Sequence, residues 1–244
     1  MGQFTSHKLF KPGFHLTDVE TEAAGLRVGR ALGVPAPAFE CVTAIDDRHG
    51  VVMERIEGPR LYDSARLRPW TWLKVATTWA DLYAMMHSCT APELPSQRER
   101  LLREIENNPD LSAQQKKSAV KTLEQLPDAA RLCLSDFRPR NILMSKDGPV
   151  VVDWESALRG NPMADIAFVI MEPGLALQDP TTPQYLRHLV RTLFSLAYRG
   201  VFLRRYMKLT NTRYEDIASW KLPVAAARLG RGYLHERAGL LKII

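Results

Sequence analysis

The stretch "LSDFRPRNILMSKDGPVVVDWE", residues 134–155, constrains this chain more than any other. It sets Asp136, Asn141 and Asp153 in order, the second five positions after the first and the third twelve after that. Between Asn141 and Asp153 run "ILMS", a "KDG" turn and "PVVVDW", the pattern of two short apolar strands joined by a hairpin. A hairpin brings its two ends together, so Asn141 and Asp153 are expected to face one point in space. Two oxygen ligands beside a third carboxylate suit a hard cation such as magnesium, which takes one or two protein carboxylates and leaves room for phosphate oxygens. The expected chemistry is phosphoryl transfer. The competing reading of Asp136 and Asn141 is a loop whose short polar side chains cap its own turns, and it leaves Asp153 unexplained.

The 244 residues allow one large domain or two lobes around a cleft, and 45% hydrophobic content is ample for a core. No run of about eighteen apolar residues exists and "MGQFTSHKLF" lacks the apolar stretch of a signal peptide, so a cytoplasmic protein with no membrane partner is expected. Cys41, Cys89 and Cys133 show neither CxxC nor Cys/His ligand spacing and read as buried thiols. The net charge of +6 lies entirely in residues 154–244, with thirteen Lys/Arg against seven Asp/Glu. No nucleic-acid module or basic run with interleaved aromatics accompanies it, so no nucleic-acid partner is expected.

Along the chain, "HKLFK" reads as a strand, and "TDVETEAAGLRVGRALG" as a helix opened by a capping box at Thr17 and Glu20 and stopped at Gly33 and Pro35. "AFECVTAI" and "GVVMERI" read as two strands around a polar turn, and Gly58-Pro59 as a break and hinge. Pro69 to His87 has the pattern of a core helix, with His87 packed rather than catalytic. Two polar helices follow within residues 94–126, with Ser112 placed to cap the second. Beyond the hairpin, "NPMADIAFVIM", "PQYLRHLVRTLFSLAYRGVFLRRYM" and "RYEDIASWKLPVAAARLGRGYL" read as three helices. The stripe Phe194, Tyr198, Phe202 and Tyr206 belongs to a core face.

This order of parts resembles the aminoglycoside phosphotransferase and choline kinase-like family, small-molecule relatives of the protein kinases. The family's HGDxxPxN loop, hairpin and IDW stand here as "LSDFRPRN" and "VVDW", matching at Asp136, Pro139, Asn141, Asp153 and Trp154. The resemblance implies an α+β, two-lobed protein-kinase-like fold, with a truncated N-terminal strand lobe over residues 1–58 and a mainly helical C-terminal lobe over 59–244. It implies that Asp136 is the catalytic base and that Asn141 and Asp153 hold Mg2+. "HKLFKPGF" is similar to the strand carrying the nucleotide lysine, which makes Lys8 the phosphate ligand and Glu22 its helix partner. "VVMERIEG" resembles the hinge, with Met53 lining the adenine pocket and the backbone of Glu54 to Ile56 hydrogen-bonding the base. "NPMADIAF" looks like GDPxxDLA, making Asp165 a carboxylate that braces the catalytic loop.

Two departures stand out. The family's His-Gly before the catalytic aspartate is Leu134-Ser135, so the histidine that braces the loop is missing. Only seven residues precede Lys8, whereas two strands and a glycine-containing lid over the phosphates need on the order of twenty. The expected activity is transfer of the γ-phosphate of ATP or GTP to a hydroxyl of a small molecule. The alternative is a catalytically weakened, kinase-like nucleotide-binding protein without turnover. Arg187, Arg191, Arg199, Arg204, Arg205, Lys208 and Arg213, with no acids between residues 180 and 213, point to an acceptor that is neutral or anionic rather than polycationic.

Overall fold

Short β-branched runs produce the first structural layer. In the computed structural model, which describes residues 5–11, 16–46, 48–63, 71–171, 184–231 and 234–244, strands β1 (Thr5–Leu9), β2 (Phe39–Ile45) and β3 (Arg48–Glu54) form an antiparallel sheet of order β1-β3-β2. Val51, Val52 and Met53 of the central strand are buried, and Lys8 stands opposite Val51. Helix α1 (Leu16–Ala31) lies between β1 and β2 in the chain and starts one residue before Thr17. Thr17 is therefore inside the helix rather than its cap, and its carbonyl accepts from the Thr21 hydroxyl at 2.8 Å. The strand, helix, two-strand order matches the sequence pattern.

Helix α2 (Trp72–Ser88) buries Val75, Ala76, Trp79, Ala80, Tyr83 and Met86, as its apolar spacing requires. His87 is buried and packs on Tyr83, with ring centroids 5.1 Å apart. The chain then divides into two units, residues 1–95 with 130–159, and residues 96–129 with 160–244. The first unit holds the three-stranded sheet, α1, α2, the pair formed by β4 (Arg131–Leu134) and β7 (Ala157–Gly160), and the hairpin of β5 (Ile142–Ser145) and β6 (Gly148–Val151). The hairpin register sets Ser145 opposite Gly148 across the expected Lys146-Asp147 turn.

The second unit is helical: α3 (Gln97–Glu106), α4 (Ala113–Gln125), α5 (Pro162–Met171), α6 (Gln184–Thr210), α7 (Tyr214–Ala218), α8 (Lys221–Leu229) and α9 (Leu234–Leu240). Ser112 caps α4 as expected, in a reciprocal pair with Gln115. Helix α8 is the hub: Pro223 to Leu229 are all buried, with α3, α4, α5 and α9 packed around it. The segment 213–234 was expected to be one helix and holds two, α7 and α8, with α9 beginning at its last residue. Pro223 in a continuous helix would clash with the carbonyl four residues back, so α8 starts afresh two residues before it, where its missing N–H goes unneeded. A buried pair, Arg228 with Glu236, ties α8 to α9, and the Arg228 guanidinium lies 3.9 Å over the Phe168 ring. Tyr198, Phe202 and Tyr206 are buried as expected, while the side chain of Phe194 lies outside the described residues.

The cysteines correct a sequence expectation. Only Cys133 is fully buried; Cys41 is exposed on edge strand β2, most of whose residues are exposed on both faces, and Cys89 is intermediate. Among the described residues, no helix is long and apolar enough to cross a membrane.

Candidate active site

Helix α1 sits unusually close to the end of the hairpin because it carries glycine where other residues carry side chains. A Cβ on Gly29 would come within 2.3 Å of the Trp154 ring, and one on Gly25 within 2.7 Å of Ala157. The fully buried Trp154 therefore lies against the bare face of α1, its indole N–H donating to the Val151 carbonyl at 2.9 Å. This contact brings Glu22, one turn back on α1, beside the residue before Trp154, which is Asp153. The Trp154 backbone N–H donates to Glu22 Oε1 at 3.4 Å.

The Lys8 ammonium joins them. Its Nζ lies 2.8 Å and 3.0 Å from the two Glu22 oxygens, 2.6 Å from Asp153 Oδ1 and 3.6 Å from Glu155 Oε2. Burial by itself would lower the Lys8 pKa, but the Glu22 and Asp153 charges outweigh it and hold the ammonium above its ordinary value. Glu22 is pushed up, first by burial of a carboxylate with 0% exposure, against the downward pull of Lys8. Glu155 is raised too, by burial and then by Asp153. One ammonium thus faces three carboxylates. The oxygens of Glu22, Asp153 and Glu155 lie within 4.8 Å of one another, a donor set that fits a hard dication.

The hairpin delivers the remaining pieces as its geometry promised. Asn141 closes the 3-10 turn Pro139–Asn141 and is buried; its Nδ2 donates to Asp153 Oδ2 at 3.3 Å and to the Asp136 carbonyl at 3.2 Å. To act as a metal ligand it must present its oxygen, which a turn of the amide supplies. Asp153 has left-handed backbone, φ 71, a conformation that aspartate tolerates better than most side chains.

Asp136 is held by parts the sequence did not flag. Its backbone N–H donates to Ser156 Oγ at 3.3 Å, and the neighbouring Ser135 N–H reaches the Ser156 carbonyl at 3.4 Å. The next residue, Phe137, is fully buried against the Tyr83 ring at 4.8 Å, and its carbonyl accepts from the Tyr83 hydroxyl at 3.2 Å. Leu134, where the resemblance has histidine, is buried in β4. Tyr83 and Ser156 therefore brace this loop from outside it. The Asp136 carboxylate itself carries two arginines: Arg138 Nε lies 2.8 Å from one oxygen and Arg140 Nη2 3.3 Å from the other.

The structure thus brings together Lys8, Glu22, Asn141 and Asp153, with Asp136 joined to them through Asn141. Met53 is buried in β3 and Ile56 is half-buried beyond it. Glu54 N–H is spent on the Ala38 carbonyl at 2.8 Å, so a base held at Glu54 would meet its carbonyl. Instead of swinging freely, the Gly58-Pro59 segment is stitched to β5: Met144 N–H donates to the Pro59 carbonyl at 2.8 Å, and a Cβ on Gly58 would meet the Met144 carbonyl oxygen at 2.0 Å. Asp165 is buried in the second unit, where Gln97 Nε2 donates to it at 2.7 Å. Sequence reading missed Glu155, Ser156, Tyr83 and the two arginines. Glu155 had no local signal, since Asp153 is left-handed and residues 155 and 156 form a turn, so the alternation of a strand does not run through them.

A family model described as "Phosphotransferase enzyme family" matches residues 8–201. Among solved structures, an aminoglycoside-3'-phosphotransferase of type VIII is 19% identical, covers 93% of this chain and 86% of its own, and superposes with a TM-score of 0.67. An aminoglycoside phosphotransferase from Streptomyces rimosus, solved with ADP and streptomycin, is 16% identical over 91% of this chain and 86% of its own, TM-score 0.58. A choline/ethanolamine kinase family protein from Mesorhizobium loti is 16% identical over 99% and 80%, TM-score 0.59. Comparison with curated protein sequences gives no match. At these identities the structural likeness establishes the fold, a small sheet with a helical remainder in the manner of the protein kinases.

Proposed function

Since this chain belongs to the phosphotransferase enzyme family and is a kinase-type phosphotransferase acting on hydroxyl groups, we propose that it moves the γ-phosphoryl group of ATP to a small hydroxylated metabolite at the site built around Asp136, Asn141 and Asp153. The observation that supports this is that Lys8 and Asn141, from separate segments, both bind the Asp153 carboxylate, with Glu22 holding Lys8 and Asp136 joined through Asn141. A loop that merely capped its own turns would not also send the Asn141 amide to Asp153.

In this reading Asp136 accepts the proton of the acceptor hydroxyl as the new O–P bond forms, and the bond from the γ-phosphorus to its bridging oxygen breaks, its electron pair leaving on ADP. Lys8, held by Glu22, positions the donor phosphates. Asn141, Asp153 and, from its position, Glu155 are the residues that would hold Mg2+, which when bound neutralises phosphate charge. Tyr83 and Ser156 fix the loop that presents Asp136, taking the place of the histidine.

The acceptor is neutral or anionic. Arg204 and Lys208 on α6 are exposed, and acids are absent between residues 180 and 213. The array is thinner than the sequence suggests, since Arg213 is paired with Asp216 at 3.1 Å, Arg199 donates to the Ile170 carbonyl at 2.9 Å, and the side chains of Arg187 and Arg191 lie outside the described residues. The test is incubation with magnesium-ATP and equal panels of aminoglycosides, sugars, polyols and their phosphates, with products identified by mass. Turnover that is lost in Asp136→Asn at unchanged melting temperature is expected. Equal turnover by that variant, or product only from aminoglycosides, would refute the corresponding part of the reading.

A further inference from the structure

Hydrogen-bonded pairs alternate along an antiparallel ladder, so the register fixes which neighbour each main-chain group of β3 can reach. Phe10 N–H donates to the His49 carbonyl at 2.9 Å, and steps of two carry that pattern to the pairs Lys8–Val51 and Ser6–Met53. Glu54 therefore has no ladder bond to β1, and its ladder partner is Ala38. Half of the expected exchange is present, the Glu54 N–H donating to the Ala38 carbonyl at 2.8 Å. The return bond is not made: the Ala38 N–H goes instead to Glu54 Oε2 at 3.1 Å. Arg30, from the last turn of α1, approaches the same oxygen, its Nη1 lying 3.5 Å away and donating to the Ala36 carbonyl at 2.9 Å. The side chain of Glu54 thus does what its own carbonyl does in a regular strand, and that carbonyl has no N–H partner among the described residues. The strand gains nothing from the exchange, since the carbonyl would satisfy the Ala38 N–H without any carboxylate.

Resting on the phosphotransferase reading above, we propose that the Glu54 side chain is a positioning residue for the nucleotide's base: by satisfying the Ala38 N–H it keeps the Glu54 carbonyl free to accept from an exocyclic amine, and so sets the preference of this site for adenine over guanine. The placement fits. Lys8 stands opposite Val51 and Glu54 lies three residues on, about 10 Å along the strand, which leaves room for a ribose between phosphates at Lys8 and a base at Glu54. The chemistry fits as well. Residue 54 offers the base an acceptor and no donor, because its N–H is spent on Ala38. The amine of adenine can donate to such an acceptor, whereas the oxo group that guanine carries at the same ring position would set acceptor against acceptor and leave the carbonyl unpaired, the kind of mismatch that discriminates best between similar ligands.

Calorimetry on the full chain with magnesium measures binding of ADP, of GDP and of purine riboside diphosphate, which is ADP without its amine. The wild type is expected to bind ADP at least about tenfold tighter than either of the others, the loss of one hydrogen bond at a carbonyl with no substitute partner. Glu54→Leu lets the Ala38 N–H return to the carbonyl, so both ratios should fall towards one while purine riboside diphosphate binds as before. Glu54→Gln, whose amide oxygen can still accept from Ala38, should keep them. Glu54→Leu/Ala38→Pro, in which no N–H competes for the carbonyl, should restore them. A carboxylate that only stabilised the strand would change the melting temperature and leave the ratios alone. Should Glu54→Leu fail to fold, the wild type decides by NMR: the Arg55 amide, which adjoins the Glu54 carbonyl, should shift with ADP and not with the analogue. Unaltered ratios in Glu54→Leu, a loss in Glu54→Gln as large as in Glu54→Leu, or an Arg55 amide indifferent to the amine overturns the assignment. Turnover is scored separately. Transfer from magnesium-ATP with ratios indifferent to residue 54 removes the role of Glu54 and leaves the function; the expected ratios without transfer to any acceptor do the reverse; a wild type that binds no nucleotide overturns both.

Discussion

Replacing Lys8 with methionine removes the one cation that, among the described residues, faces Glu22, Asp153 and Glu155, while keeping most of the side chain's apolar length. Glu22 has no exposure, and Lys8 is 31% exposed, so the pair is largely desolvated. Breaking such a pair from one side strands a buried charge and costs about 3–5 kcal/mol, against about 0–1 kcal/mol for a surface pair. The expected loss for Lys8→Met near neutral pH is about 3 kcal/mol, roughly a hundredfold in the folded-to-unfolded ratio. The pH dependence has a definite sign. Burial raises the folded-state pKa of Glu22 and of Glu155 above the unfolded value, so their contribution favours folding below the unfolded pKa and is lost as pH rises through the folded pKa. Without Lys8 that rise steepens, because the positive charge that opposed it is gone. Urea titrations of both proteins at about pH 5 and about pH 7.5 should show the penalty shrinking by more than half at the lower pH. Lys8→Met/Glu22→Gln should recover most of it, and millimolar magnesium should recover part by supplying the missing positive charge. A penalty under about 1 kcal/mol that does not change with pH would show that the ammonium is not the counter-charge of Glu22.

Two further outcomes follow from the same contacts. Gly29→Ala places a Cβ 2.3–3.0 Å from three ring carbons of Trp154, an overpacking cost of about 1–3 kcal/mol that exceeds the gain of about 1 kcal/mol in helix propensity, so the melting temperature should fall; a rise would mean that the indole yields without cost. Asp153→Asn should keep the fold and weaken magnesium-nucleotide binding at least about tenfold, read as loss of the magnesium-dependent thermal shift, and unchanged binding would remove Asp153 from the metal site.

What was legible in the sequence was what the backbone settles locally. Asp136, Asn141 and Asp153 were readable because a hairpin of fixed register joins the last two, and a single tight turn joins the first pair. The capped helix after Ser112 was readable for the same reason. Glu155 and Ser156 were not, since their partners, Lys8 and the backbone of residues 135 and 136, reach them only through tertiary packing. Tyr83 looked like another core aromatic on α2, and nothing in its spacing distinguishes a ring that only fills space from one whose hydroxyl holds the Phe137 carbonyl. The division of the last helical segment was hidden by its own composition: "VAAARL" has high helix propensity, and one proline in the first turn is compatible with a helix that starts there as much as with one that ends. Arg138 and Arg140 read as ordinary surface charge until the structure set them against the Asp136 carboxylate.

The left-handed backbone at Asp153 narrows the routes by which a sequence of this kind can drift away from catalysis. Most side chains would meet a cost of about 1–2 kcal/mol in that conformation, so alanine, valine or leucine there would loosen the hairpin end as well as remove the carboxylate that the proposed metal site needs. Asparagine and glycine escape the conformational term. A descendant that gives up phosphoryl transfer while staying folded would therefore carry one of those two residues at position 153, with Trp154 still seated against the bare face of α1. If Asp153 holds the metal as proposed, the identity of that single residue would separate a phosphotransferase from a protein that has kept only the fold.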